Sequence, residues 1–252
     1  VDGGQFLKTN DALEHAQAML NAGADIIDIG AESSRPGATV VSLVDELDRL
    51  KYILPECSKA KIPVSLDTYK PEVMSFGLNN GVILLNDIYG FTRPGVAQMF
   101  SRCRRTDFYA CIMHMQGRPT TMQQAPSYSM LIQELQDFFA QQLTALQQLG
   151  IAHLLIDPGF GFGKSDEHNW RLLGELAVFK AQAPVLVGLS RKSMLGRLLD
   201  RPITQRIAAS VAAALFAADS GARIVRVHDV EATVDALKVW DQARAVQQAN
   251  IK

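Results

Sequence analysis

Little in this sequence favours a large charged or apolar partner. Lys and Arg number 25 against 26 Asp and Glu, a formal net charge of −1. There is no positive excess with which to neutralise phosphates along a nucleic acid, so none is expected as a partner. Long apolar runs are missing too. The longest candidate, Ala208 to Ala218, is Ala-rich and flanked by Arg206 and Asp219. It falls well short of the ~20 residues a membrane-spanning helix needs, and reads as a buried helix. Cysteine is scarce: Cys57, Cys103 and Cys111 are odd in number and lack metal-ligand spacing. They read as reduced thiols of a cytoplasmic protein, not as a disulfide framework. There is no His-Glu-x-x-His helix, no Walker loop and no paired Cys/His set, which excludes zinc-protease and P-loop chemistry. Disorder is excluded by a hydrophobic content of 48%.

What is present is a recurring unit: an amphipathic segment, a glycine, then a short β-branched run. It occurs at Gly23, Gly81, Gly150 and Gly221. Glycine past a helix end takes the left-handed conformation at little steric cost and lets the chain reverse into a strand. Together with apolar runs that lack the glycine, this predicts seven strands, beginning at Ile26, Pro63, Val82, Phe108, Leu154, Pro184 and Ile224. The runs are nearly continuous in apolar residues, as in strands buried on both faces of a parallel sheet. Strand and helix alternate, and no Pro/Ser-rich linker or low-complexity stretch intervenes. One α/β domain spanning residues 1–252 is expected.

Each strand ends in polar groups: Asp28 and Glu32, Asp67, Asn86 and Asp87, His114, Asp157, Ser190-Arg191-Lys192, and Arg226 with His228. A parallel barrel gathers such ends on the face where barrel enzymes hold their active sites. A polar residue at one strand end is ordinary, but Asp, Asn, His, Arg and Lys at all of them point to a functional rim. Arg35, Arg191, Lys192, Arg226 and His228 suit an anionic ligand such as a diphosphate, because Arg presents a planar fork of donors. Asp67, Asp157 and Asn86 suit a flat heterocycle with N–H donors. The run Gly159 to Lys164 lacks phosphate-loop spacing and reads as a loop brought close to a flat ligand, with Phe162 beside it. Asp28 and Asp87 read first as loop or helix-cap acceptors, His114 as a core histidine, Arg191 as structural, Met115 and Met122 as packing, and Arg102, Arg104 and Arg105 as a solvated helix end.

Seven segments occur in one order: Asp28 to Gly37 (DIGAESSRPG), Ser65-Leu66-Asp67-Thr68, Leu85-Asn86-Asp87-Ile88, Met113 to Gly117 (MHMQG), Asp157 to Lys164 (DPGFGFGK), Gly188 to Ser193 (GLSRKS), and Arg226-Val227-His228-Asp229. In this order they resemble the dihydropteroate synthase family of bacterial folate biosynthesis. The resemblance implies a (β/α)₈ TIM barrel and condensation of 6-hydroxymethyl-7,8-dihydropterin pyrophosphate with p-aminobenzoate, giving 7,8-dihydropteroate and pyrophosphate. It also implies Mg²⁺ as cofactor, a homodimer, and sulfonamides as inhibitors that mimic p-aminobenzoate. For the pterin it implies contacts by Asp67, Asn86, Asp157, Phe162, Lys192 and Arg226. Ser34, Arg35 and Pro36 would meet p-aminobenzoate and the diphosphate, with Ser34 standing where the family has Thr. Arg35, Arg226 and His228 would bind the diphosphate. Asp67, Lys192, Arg226 and His228 are the expected catalytic set, Asp67 by offsetting a cationic pterin methylene.

Two other readings compete. A pterin-dependent methyltransferase shares the barrel and the pterin-anchoring Asp and Asn, but has no need of a diphosphate site. A non-catalytic barrel subunit has no reason to keep so many charges at one mouth. A closed barrel needs eight strands. The family places a first strand and its loop ahead of a stretch that Val1-Asp2-Gly3-Gly4 resembles. That strand, most of its loop, and the Asn that would ligate Mg²⁺ are therefore expected before Val1, and no metal ligand is named.

Overall fold

A computed structural model describes residues 9–33 and 38–249. Ser34, Arg35 and Pro36 lie outside them. Sixteen regular strands and helices follow in the order α1 (Thr9–Asn21), β1 (Ile27–Ile29), α2 (Leu43–Lys59), β2 (Val64–Asp67), α3 (Pro71–Asn79), β3 (Leu84–Asp87), α4 (Val96–Arg102), β4 (Tyr109–Met113), α5 (Leu131–Gln148), β5 (His153–Asp157), α6 (Asp166–Gly174), β6 (Val185–Val187), α7 (Ser193–Leu199), α8 (Ile207–Asp219), β7 (Ala222–Val225) and α9 (Val230–Ala249). All seven predicted strands form. Each pairs in parallel with the next, giving one sheet ordered β1 to β7, the curled α/β architecture of a TIM barrel.

The expected glycines do reverse the chain: Gly23, Gly81, Gly150 and Gly221 all have positive φ. Local signals set several helix starts. Ser42 caps α2, its Oγ accepting the Asp45 N–H at 3.1 Å. Ser165 and His168 form a reciprocal cap on α6. Pro71 opens α3, where its missing N–H costs nothing.

Side chains alternate across each strand. Leu84, Cys111, Leu155, Leu186 and Ile224, one from each strand of β3 to β7, meet inside the curl. The larger core lies outside, between strands and helices, where Leu66, Leu85, Ile112, Ile156 and Val187 pack against Leu50, Leu78, Phe139 and Leu195. Two residues beyond the interior ring, the same alternation delivers Asn86, Met113, Asp157 and Arg226 to the inner face at the strands' C-terminal ends.

One expectation needs correction. The run Ala208 to Ala218 is helical, but it is buried on one side only: Ser210, Ala213, Ala214 and Ala217 face the core, while Phe216 is 51% exposed. A nearly all-apolar helix carries no polar stripe from which its solvent side can be read.

Candidate active site

The mouth of the sheet collects carboxylates around one guanidinium. Asp28 lies within β1, Asp67 ends β2, Asp157 ends β5, and Arg226 follows β7. Arg226 Nη1 donates to Asp28 Oδ2 at 2.8 Å and to Asp67 Oδ2 at 3.1 Å. These bonds tie the segment after β7 to the first two strands. Asp28 is therefore an ion-pair partner and not the loop acceptor expected of it.

Burial pushes the Asp67 carboxyl up to about 6; Arg226 opposes this, while Asp28 and Asp157 add to it. Burial likewise raises Asp157, against the Gly159 N–H and the cations Arg226, Lys192 and Lys164. The Arg226 guanidinium resists its own desolvation because Asp28, Asp67 and Asp157 surround it, and its pKa is held above the ordinary value.

Asn86 lies beside Asp67, to which it is paired in register. It is buried, and its Oδ1 has no hydrogen-bond partner. Unpartnered buried polar atoms are rare in folded proteins, and this one is free to accept a hydrogen bond at the mouth. Asp157 Oδ1 accepts the Gly159 N–H at 2.8 Å.

Lys192 Nζ sits over the Phe162 ring, 4.6 Å from its centroid. Phe162 itself packs with Ile88, Met113 and Met122, with Met115 alongside, so the methionines serve packing as expected. His228 is oriented by Ser190, whose Oγ lies 3.0 Å from its Nδ1 and accepts its backbone N–H at 3.2 Å.

The Gly159–Lys164 loop lies against the segment that follows β4. A Cβ on Gly159 would fall 2.0 Å from the His114 carbonyl oxygen, and one on Gly163 would fall 2.4 Å from the Gln116 oxygen; both have positive φ. The glycines let this loop lie directly on the backbone that follows β4. Lys164, whose role sequence reasoning missed, holds the two together. Its buried Nζ donates to the carbonyls of His114, Gly159 and Phe162 at 3.1–3.3 Å and lies 3.1 Å from His114 Nδ1. Burial brings its pKa down to about 7.

His114 is a core histidine, packed edge-on to Phe138 and held neutral, its pKa about 2, by burial and by Lys164. Asp87 accepts the N–H groups of Tyr89 and Phe91 and closes a turn, as expected. Arg191 forms a two-pronged pair with Asp229 at 3.0 and 2.5 Å, which is structural. Arg105 departs from its expectation: its Nη1 donates to the carbonyls of Leu78 and Val82 and laces two turns together.

The residues sequence reasoning brought to one mouth are thus found at one mouth: Asp67, Asn86, Asp157, Phe162, Lys192, Arg226 and His228. The family described as "Pterin binding enzyme" matches this chain over residues 1–228. The chain belongs to that family, among the dihydropteroate synthases. Dihydropteroate synthase of Escherichia coli strain K12 is 45% identical over 251 residues, covering 98% of this chain and 88% of the relative. The fold superposes on Yersinia pestis dihydropteroate synthase in a sulfonamide complex with a TM-score of 0.92 at 43% identity, covering 97% of this chain and 89% of the other. On the Burkholderia cenocepacia enzyme complexed with 7,8-dihydropteroate the TM-score is 0.88 at 44% identity, covering 96% and 89%.

Proposed function

We propose that this mouth condenses 6-hydroxymethyl-7,8-dihydropterin pyrophosphate with p-aminobenzoate on the residues just described. The observation that carries the pterin assignment is Asn86, whose buried Oδ1 awaits a donor beside Asp67. A reduced pterin supplies such N–H groups along its edge. Asp157 would accept the 2-amino and N3–H pair, as a carboxylate accepts two parallel N–H bonds. Lys192 would donate to the carbonyl and N5 side, and Phe162 would border the ring.

Cleavage of the methylene C–O bond sends its electron pair to the departing diphosphate and leaves a cation on the pterin methylene. Asp28, Asp67 and Asp157 present negative charge to that cation, while Arg226 and His228, with Arg35, would meet the growing charge on the diphosphate. The arylamine nitrogen then bonds to the methylene carbon and releases one proton. An anilinic nitrogen is weakly basic, so no strong base is required.

Ser34, Arg35 and Pro36 are assigned to p-aminobenzoate by family resemblance, and sulfonamides would compete there. Among the described residues no group of three or more His, Cys, Asp or Glu is placed to hold a metal ion. Mg²⁺ commonly rests on one or two carboxylates plus substrate phosphates, so it would arrive with the diphosphate, whose charge it would neutralise.

The exposed face of α8 supports a homodimer. Phe216 lines an apolar groove with Trp170, Leu173, Leu195, Leu198 and Leu199. A contiguous apolar patch of this kind marks a protein contact. Phe216→Glu should convert a sedimenting dimer to monomer. A single domain over residues 1–252 is supported by the one continuous sheet. A cytoplasmic setting is supported by Cys57, Cys103 and Cys111, all free thiols.

The direct test is release of pyrophosphate and formation of 7,8-dihydropteroate when both substrates and Mg²⁺ are supplied. Methyl transfer from methyltetrahydrofolate to a corrinoid instead, or pterin binding without product, would overturn the proposal.

A further inference from the structure

The turn after β6 serves the mouth twice. Ser190 orients His228, and Lys192 places its Nζ over the Phe162 ring. Between them, Arg191 has φ +57°, a left-handed backbone that a residue with a Cβ keeps only when its surroundings hold it there. Lys192 then opens α7, a helix of seven residues. Two turns of helix are too few to be stable alone, so the place of α7 is set by outside contacts.

Those contacts come from the start of α8. Arg206 Nη1 donates to the Arg191 carbonyl at 3.1 Å and to the Lys192 carbonyl at 3.4 Å. Its Nε donates to the carbonyl of Arg201, just past the far end of α7, at 3.0 Å. One guanidinium thus lies along the helix and grips the chain at both ends of it. Its donors diverge from one rigid plane, which suits carbonyls set apart in this way. Gly196, in the middle of α7, makes room, since a Cβ there would overlap the Arg206 guanidinium. Ser210 completes the hold. It is buried, its Oγ accepts the Arg191 N–H at 2.9 Å, and it donates to the Arg206 carbonyl at 2.6 Å. The left-handed residue is therefore fixed at its N–H by Ser210, at its carbonyl by Arg206 and at its side chain by Asp229.

We propose that Arg206 is a positioning residue: by holding the carbonyls of Arg191 and Lys192 from behind, it sets where Lys192 leaves the turn and so aims that ammonium over Phe162 at the pterin. The last step rests on the assignment of Lys192 to the pterin made above.

The test reads the affinity of the full chain for 6-hydroxymethyl-7,8-dihydropterin by calorimetry, in Arg206→Met, Lys192→Met and the double variant. Gly196→Ala is run beside them, because it displaces the guanidinium and leaves Arg206 in the chain. Lys192→Met should cost about tenfold, as the loss of a charge-assisted hydrogen bond. Arg206→Met should cost about fivefold and Gly196→Ala about threefold, since each misplaces that donor without removing it. A residue that acts through Lys192 loses its effect once Lys192 is gone, so adding Arg206→Met to Lys192→Met should change the affinity by less than about twofold. Parent-like affinity in Arg206→Met, or an equal loss with and without Lys192, overturns the proposal and leaves the Lys192 assignment standing. Parent-like affinity in Lys192→Met overturns that assignment and the proposal with it. Should Arg206→Met not fold, Gly196→Ala with and without Lys192→Met decides by the same outcomes.

Discussion

On the closed arc from β2 to β6 the strands are buried along nearly their whole length, and Asn86 and Asp157 are fixed there by parallel pairing, by the interior ring, and by a glycine loop pressed onto the backbone after β4. Arg226 and Arg191 are held differently, by charge, through Asp28 and Asp67 for the one and Asp229 for the other. Recognition of a flat, neutral ring needs rigid partners with unmet hydrogen bonds, and the closed arc supplies them. A diphosphate that arrives and departs needs cations whose present partners it can rival, and Arg226 is such a cation.

Four substitutions break or sharpen that contrast. Arg226→Met should have the largest effect, lowering kcat/KM by roughly 10²–10³. It removes a donor to the leaving group and leaves Asp28 and Asp67 facing each other. If Arg226 holds its partners by charge, the variant's melting temperature should also fall, more at low salt than that of Asp157→Asn. Asp157→Asn should cost about 10–100-fold in pterin affinity, read by calorimetry, with the fold intact, because one charge-assisted pair becomes a weaker and partly mismatched one.

Asp67→Asn should lower turnover by about tenfold and change its pH dependence. The folded carboxyl keeps its proton up to about 6, against an ordinary value of 3.8. Folding thus disfavours its charged form, and the negative charge appears only as pH rises through about 6. Activity should rise through that range in the parent and lose that limb in Asp67→Asn. Near-normal turnover in the variant would remove Asp67 from the mechanism. Asp229→Asn should have the smallest effect, about 1 kcal/mol of stability by denaturant titration, with kcat/KM within about threefold, since Arg191 holds structure only.

Much of this was legible in the chain, and the part that was not has a common cause. The strands announce themselves as apolar runs, and Asn86 and Asp87 were separated as a ring contact and a turn acceptor. The partner of Arg226 was not legible, because Asp28 lies 198 residues away and meets it only when the sheet curls. Lys164 was read as one letter of a motif; its burial under three carbonyls depends on how two loops stack. The same stacking explains Gly159 and Gly163, whose freedom serves contact with His114 and Gln116. Local pattern reports where a strand ends and which polar groups end it, but not what the curl brings against them.

The most direct measurement is a crystal structure of the full chain with 6-hydroxymethyl-7,8-dihydropterin bound. The ring should lie at the C-terminal mouth with its 2-amino and N3–H edge on the Asp157 carboxylate. Asn86 Oδ1 should accept one of its N–H groups, and Arg226 should still be joined to Asp67. A pterin seated elsewhere, or one that leaves Asn86 Oδ1 without a donor and Asp157 facing only Gly159, would contradict the assignment of the closed arc to pterin recognition.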